Sequence, residues 1–230
     1  MTTIPQGWLL STPSLPLVWV LNQVRVAGAV EFDDAVALTE RFQPDLPYRQ
    51  LMVESDDTGA RMEDRFRAQR WRVDCEVTMV LASGPDRRVD PSLVYEPPAE
   101  AVLELLRRWN AEGHGHTPTA DEQEQLTDYW LREFRAREAR LLGVRGRDGA
   151  LAAVTMLYSD GVTAQVENVY TVPEERGRGF ARALVSRAIE LAAERDHALT
   201  FIVADEFDWP KGLYARLGFE PAGRTWAFHG

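Results

Sequence analysis

The sequence predicts an α/β (α+β) chain in which antiparallel hairpins and strand–helix–strand units alternate. Three observations predict it. Residues 166 to 182, Val-Glu-Asn-Val-Tyr-Thr-Val-Pro-Glu-Glu-Arg-Gly-Arg-Gly-Phe-Ala-Arg, read as a strand running into a glycine-bearing turn that opens a helix. Asp148-Gly149 and Asp160-Gly161 separate alternating apolar runs, as in antiparallel hairpins. The first ninety-odd residues carry a fainter copy of the strand–helix–strand–helix–strand order found after residue 162.

The elements follow in order. Residues 17–26 read as a strand parallel in pattern to 162–172, with Asn22 where Asn168 stands. A helix over 32–42, a strand over 48–54, a helix ending Arg65-Phe66-Arg67-Ala68-Gln69-Arg70-Trp71 and a strand over 73–82 complete the first copy. In that last strand Cys75 shares a face with Val73 and Val77 and is expected in the core. Pro97-Pro98 then marks a boundary, giving units 1–96 and 97–230. Val102, Leu105, Leu106 and Trp109 form one stripe of a helix over 99–109. Thr119-Ala-Asp-Glu122 is a capping box opening a helix to about Arg140, with Leu126, Trp130, Leu131 and Phe134 on its apolar face. Strands over 141–144, 150–158 and up to Val172 come next. A helix with Ala181, Leu184, Val185, Ala188, Ile189 and Ala192 inward follows, then a buried strand over 199–204 and a helix started by Pro210.

The junction at 166–182 carries the chemistry. Backbone N–H groups at a helix N-terminus lack intrahelical partners and carry partial positive charge, so this turn suits a phosphate or pyrophosphate. Gly177 and Gly179 admit close approach of a ligand, and Arg176, Arg178 and Arg182 add cationic donors. Arg182 stands where a dinucleotide fingerprint needs its third glycine, and no Gly-Lys-Ser/Thr is present for a P-loop. What remains, Arg176-x-x-Gly179-x-Ala181 after a strand and a proline, resembles motif A of the GCN5-related N-acetyltransferase (GNAT) family. Leu213-Tyr214-Ala215-Arg216-Leu217-Gly218-Phe219 is similar to the family's motif B, and order and spacing agree.

The resemblance implies the GNAT fold, a mixed, mostly antiparallel central sheet flanked by helices, here preceded by a smaller, degenerate GNAT-like β-α-β-α-β unit. It implies acetyl-CoA as co-substrate and no metal. The pyrophosphate falls to Arg176, Gly177, Arg178, Gly179, Phe180, Ala181 and Arg182; Arg176 stands where many members have glutamine. The pantetheine arm falls to a strand that splays from its neighbour, here at Tyr170, Thr171 and Val172. Tyr214 takes the place of the tyrosine that protonates the departing thiolate; its alternative is a core tyrosine. Much of the acceptor pocket falls to 113–134.

Glu167 is the candidate base for the amine, or else pairs with an arginine of a neighbouring strand. Strand alternation sends Asn168 to the opposite face. Asp205, Glu206 and Asp208 either help recognise a cationic acceptor or form a solvated cap. The first copy has Ala27-Gly28-Ala29 in place of an arginine–glycine turn and Phe66 in place of Tyr214, so it is expected to shape structure or substrate without binding coenzyme A.

Composition narrows the partners. A net charge of −10 argues against nucleic acid and favours cationic acceptors. No apolar run suits a membrane span, and the start, Met1-Thr-Thr-Ile-Pro-Gln-Gly-Trp, lacks the regions of a signal peptide. A single cysteine fits a reducing cytoplasm. His114-Gly-His116 lacks acidic or cysteine neighbours at metal spacing. The expectation is a cytoplasmic N-acetyltransferase acting on a primary amine of a small molecule or peptide, with an oligomer possible. A non-catalytic acyl-CoA sensor or scaffold is the alternative.

Overall fold

The computed structural model describes residues 1–112 and 118–230, and they divide into two units. The first comprises 1–78, 204–208 and 222–230. It opens with strands β1 (Thr2–Ile4) and β2 (Gly7–Leu10), which sequence patterning does not show, followed by β3 (Gln23–Val26). The strand expected over 17–26 is confined to these last four residues. Trp19–Leu21 instead form a 3₁₀ turn, because the Asn22 amide donates to Leu15 O (2.8 Å) and Val18 O (3.0 Å) and bends the chain back.

Helix α1 (Phe32–Phe42), strand β4 (Gln50–Val53), helix α2 (Asp56–Ala68) and strand β5 (Arg72–Leu81) follow. β3 and β4 are parallel, and residues 226–229 from the far end of the chain pair antiparallel with β4. Alternation in β5 buries Val73, Cys75 and Val77, the first two in one cluster with Phe66, Phe228 and Met62. Phe66 is fully buried and stacks on Phe228 with centroids 4.2 Å apart.

The second unit comprises 79–203 and 209–221. Strand β6 (Val94–Tyr95) precedes helix α3 (Ala99–Glu112), and helix α4 spans Ala120–Ala136. The Thr119 hydroxyl accepts from Glu122 N (3.3 Å) and the Glu122 carboxylate accepts from Thr119 N (2.6 Å), so the capping box forms as its spacing predicts. Strands β7 (Arg140–Arg145), β8 (Leu151–Ser159) and β9 (Thr163–Thr171) form an antiparallel meander. Both Asp-Gly turns close as expected: Gly149 and Gly161 take positive φ, and the Asp160 carboxylate accepts from Val162 N and Thr163 N.

Helix α5 (Phe180–Glu194) packs Leu184, Val185, Ala188 and Leu191 into the core. Strand β10 (Leu199–Asp205), helix α6 (Pro210–Arg216) and strand β11 (Phe219–His229) complete the chain, with Pro210 at the start of α6. β10 pairs parallel with β9, and the order onward is β9-β8-β7-β6, all antiparallel. The mixed, mostly antiparallel sheet flanked by helices is the fold the sequence implies.

Candidate active site

The site begins where β9 loses a partner. Its ladder to β10 runs from Thr163–Leu199 to Val166–Ile202 and stops, although β9 continues to Thr171. Backbone groups of 167–171 on that edge are therefore outside the β10 ladder. On its other edge β9 stays paired with β8, but the register shifts: Met156 faces Glu167 and Val154 faces Tyr170. Two β8 residues two apart lie on one face, so Glu167 and Tyr170, three apart, share a face. The extra residue is absorbed at Asn168, whose φ is 56°, and the Thr155 hydroxyl donates to the displaced Glu167 carbonyl at 2.8 Å. Simple alternation, and with it the expected placing of Asn168, is broken by this bulge.

The Tyr170 ring is buried, stacks on Trp109 (centroids 5.3 Å) and donates its hydroxyl to Glu112 at 2.6 Å. Burial, and then the Glu112 carboxylate, push its phenol above the ordinary value. Tyr170 therefore presents only its backbone to a ligand. Thr171 O accepts from Arg176 Nε at 3.1 Å, while Val172 N is already given to Ala152 O at 2.9 Å.

Beyond a 3₁₀ turn at Pro173–Glu175 the chain takes φ of 75° at Gly177 and 81° at Gly179, the latter serving as the N-cap of α5. A Cβ at either glycine would meet nothing within 4 Å, so the backbone conformation alone requires glycine here and the space outside stays open. The first intrahelical donor of α5 is Ala183 N, to Gly179 O at 3.0 Å; the amides of Phe180, Ala181 and Arg182 precede it.

The three arginines of the turn are not equivalent. The Arg182 guanidinium is buried and held by Asp86 at 2.6 Å, which corrects the expectation that it supplies a free cation. Arg178 pairs with Glu175 and lies over the Phe180 ring. Among the described residues Arg176 makes no ion pair. Glu175 also accepts from Arg147 N (3.1 Å), and this bond and Arg178 hold its carboxyl below the usual range.

Glu167 is half-buried, and its carboxylate accepts from Gln165 Nε2 at 2.5 Å. Tyr214, on α6, is buried with its ring edge-on to Phe219 at 6.4 Å. Asp205 accepts from Phe207 N (2.7 Å) and Glu206 pairs with Arg224 (3.3 Å), as capping and surface pairing require. His114 and His116 lie outside the described residues. Among the described residues no three or more His, Cys, Asp or Glu side chains are grouped as metal ligands. Among the described residues no helix is long and apolar enough to cross a membrane.

The first unit lacks the corresponding opening. There the parallel ladder of β3 and β4 runs to Val26–Val53, the ends of both strands, and Glu54 N extends it to Val26 O at 2.9 Å. Its next helix, α1, starts with Glu31, Asp33 and Asp34, which disfavour an anion at that terminus.

The family model described as Acetyltransferase (GNAT) family matches residues 100–219. The chain belongs to the acetyltransferase (GNAT) family. Over 109 residues this chain is 29% identical to a mycothiol acetyltransferase of Clavibacter sepedonicus, covering 47% of this chain and 34% of that protein. The match thus spans about a third of the relative's length. A functionally unknown conserved protein of Staphylococcus epidermidis ATCC 12228 superposes with a TM-score of 0.77 at 11% identity, over 100% of this chain and 92% of that one. A tandem GNAT protein from the clavulanic acid biosynthesis pathway superposes with a TM-score of 0.53 at 18% identity, over 82% and 65%. At these identities the two structures speak for the fold alone.

Sequence reasoning missed the charged residues beside the turn. Arg108 donates from Nε to Glu112 (2.8 Å) and from Nη1 and Nη2 to the two carboxylate oxygens of Glu174 (2.9 and 2.8 Å). The hydrogen bond from Tyr170, and Arg108 beside it, hold the Glu112 carboxyl below its usual range. Only the Arg108–Glu112 spacing of four was visible in the sequence, and it marks an ordinary helix-surface pair.

Proposed function

We propose that this acetyltransferase moves an acetyl group from acetyl-CoA to a primary amine by direct attack. The observation that carries the reading is the β9–β10 ladder ending at Val166–Ile202, just upstream of a turn with open amides. Acetyl-CoA supplies an acyl group activated as a thioester. The amides from Gly177 to Arg182, with Arg176 as the available cation, bind the pyrophosphate. Backbone groups of 167–171 outside the β10 ladder hold the pantetheine arm and polarise the acyl carbonyl.

Glu167 takes the proton an ammonium must lose before it attacks. Tyr214 holds a proton for the leaving thiolate: a phenol titrates near ~10 and a thiol near ~8.5, so a neutral tyrosine donates at neutral pH. Most of the acceleration comes from holding amine and thioester together. The acceptor is a small-molecule or peptide amine, favoured by the net charge of −10 when it is cationic. The first unit shapes structure or substrate, and the chain acts in the cytoplasm.

The test is thiol release from acetyl-CoA across a panel of amines. At least one amine should draw thiol, and Tyr214→Phe should lower turnover about 100-fold while leaving acetyl-CoA affinity within about twofold. Binding without thiol release for any amine would assign a sensor. Loss of binding in Tyr214→Phe with unchanged turnover per complex would remove Tyr214 from catalysis.

A further inference from the structure

We infer that Arg108 is a charge-balancing residue of the cofactor site: it neutralises Glu112 and Glu174 so that Arg176 stays available to an anionic ligand in the turn. The inference rests on the reading of that turn as the pyrophosphate cradle. Among the described residues around it, Arg108, Arg176, Arg178 and Arg182 are set among Asp86, Glu112, Glu174 and Glu175, with Arg87 acting on Asp86 and Arg147 on Glu175. Arg178 and Arg182 are each held by one carboxylate, Glu175 and Asp86. The remaining two carboxylates are both engaged by Arg108, and both also feel Arg176.

Remove Arg108 and the Glu112–Glu174 side of the cluster, left with Arg176 alone, becomes net negative where a doubly charged pyrophosphate must approach. Glu174, and Glu112 with the Tyr170 hydroxyl still donating to it, then compete with the ligand for Arg176, two residues beyond Glu174. Arg108 is suited to prevent this because its guanidinium engages both carboxylates at once, forked onto Glu174 and through Nε onto Glu112. It is not suited to stabilise the fold. The Arg108 and Glu174 side chains are 44% and 58% exposed, and such surface pairs contribute little to stability. A clamp and a charge balance therefore make opposite demands on Glu174: a clamp needs its carboxylate, whereas a charge balance is better without it once Arg108 is gone.

The experiment is calorimetric titration of the full chain with acetyl-CoA at low and high salt, with melting curves of each variant. At low salt Arg108→Gln should bind about tenfold more weakly, and high salt should shrink the gap to about twofold because screening removes the repulsion. Glu174→Gln should bind within about twofold of the parent, and Arg108→Gln/Glu174→Gln within about threefold. Arg108→Lys, which keeps the charge, should retain most of the affinity. A double variant no tighter than Arg108→Gln, a gap unmoved by salt, or a loss of stability shared by Arg108→Gln and Glu174→Gln would overturn the inference. So would an Arg108→Gln that binds like a binding-competent parent, which leaves the cradle standing. A parent that fails to bind acetyl-CoA removes the cradle itself.

Discussion

Arg176 and Arg182 are six residues apart in one turn, and the structure gives them different work. Arg182 is buried and pairs with Asp86 at the surface, so its truncation leaves a cavity. Arg176 spends one donor on Thr171 O and keeps its charge for a ligand. Arg182→Ala should lower the melting temperature by about 5 °C. Arg176→Ala should leave melting unchanged and weaken acetyl-CoA binding about tenfold. Melting curves and titrations of the two variants check this, and equal effects on binding and stability in both would contradict it. The sequence showed three arginines at ligand spacing, but not which carboxylate each would meet. Asp86 lies almost a hundred residues from Arg182, and no local pattern links them.

At the scale of elements, the bulge in β9 matters more than any single side chain. It brings Glu167 and Tyr170 to one face, where Tyr170 locks onto α3 and Glu167 lies on the same side. Asn168 sustains it by adopting a left-handed φ that asparagine tolerates and β-branched residues resist. Asn168→Val should therefore cost about 1–2 kcal/mol of stability and depress turnover by at least about tenfold through misplacement of Glu167. Asn168→Gly should be nearly neutral in both. Denaturant unfolding and steady-state rates test the pair; a neutral valine variant would mean the bulge does not position the site. What was legible at this scale was local: the capping box at Thr119, both Asp-Gly turns and Pro210 each fix a boundary through short-range hydrogen bonds or a locked φ. The bulge, the end of the β9–β10 ladder and the pairing of residues 226–229 with β4 depend on partners distant in sequence. Periodicity does not encode them. The 17–26 strand failed for the same reason, since Asn22 draws on carbonyls four and seven residues back.

For the whole molecule, titration brackets a stable pH range. Glu112, Glu174 and Glu175 have carboxyls held below their ordinary 4.5 by hydrogen bonds and arginines. A depressed folded pKa contributes stability that is present above the unfolded value and is lost as pH falls through the folded one. Tyr129, Tyr158 and Tyr170 have phenols raised above their ordinary 10.0, chiefly by burial. Their contribution is complete below that value and is lost as pH rises through the folded pKa. The buried Cys75 thiol, raised to about 11, adds a loss that starts above about pH 8.5, so the melting temperature should be flat from about pH 5 to about pH 8.5 and fall on both sides. A scan by circular dichroism checks it, and a steep slope within the plateau would point to groups other than these seven.

The cradle at 176–182 and the stretch of β9 beyond its β10 ladder stand or fall together on one titration. Purified chain titrated with acetyl-CoA should show saturable heat at one site per chain and a rise in melting temperature, both reduced by Arg176→Ala. No heat and no thermal shift from the parent protein would contradict the account.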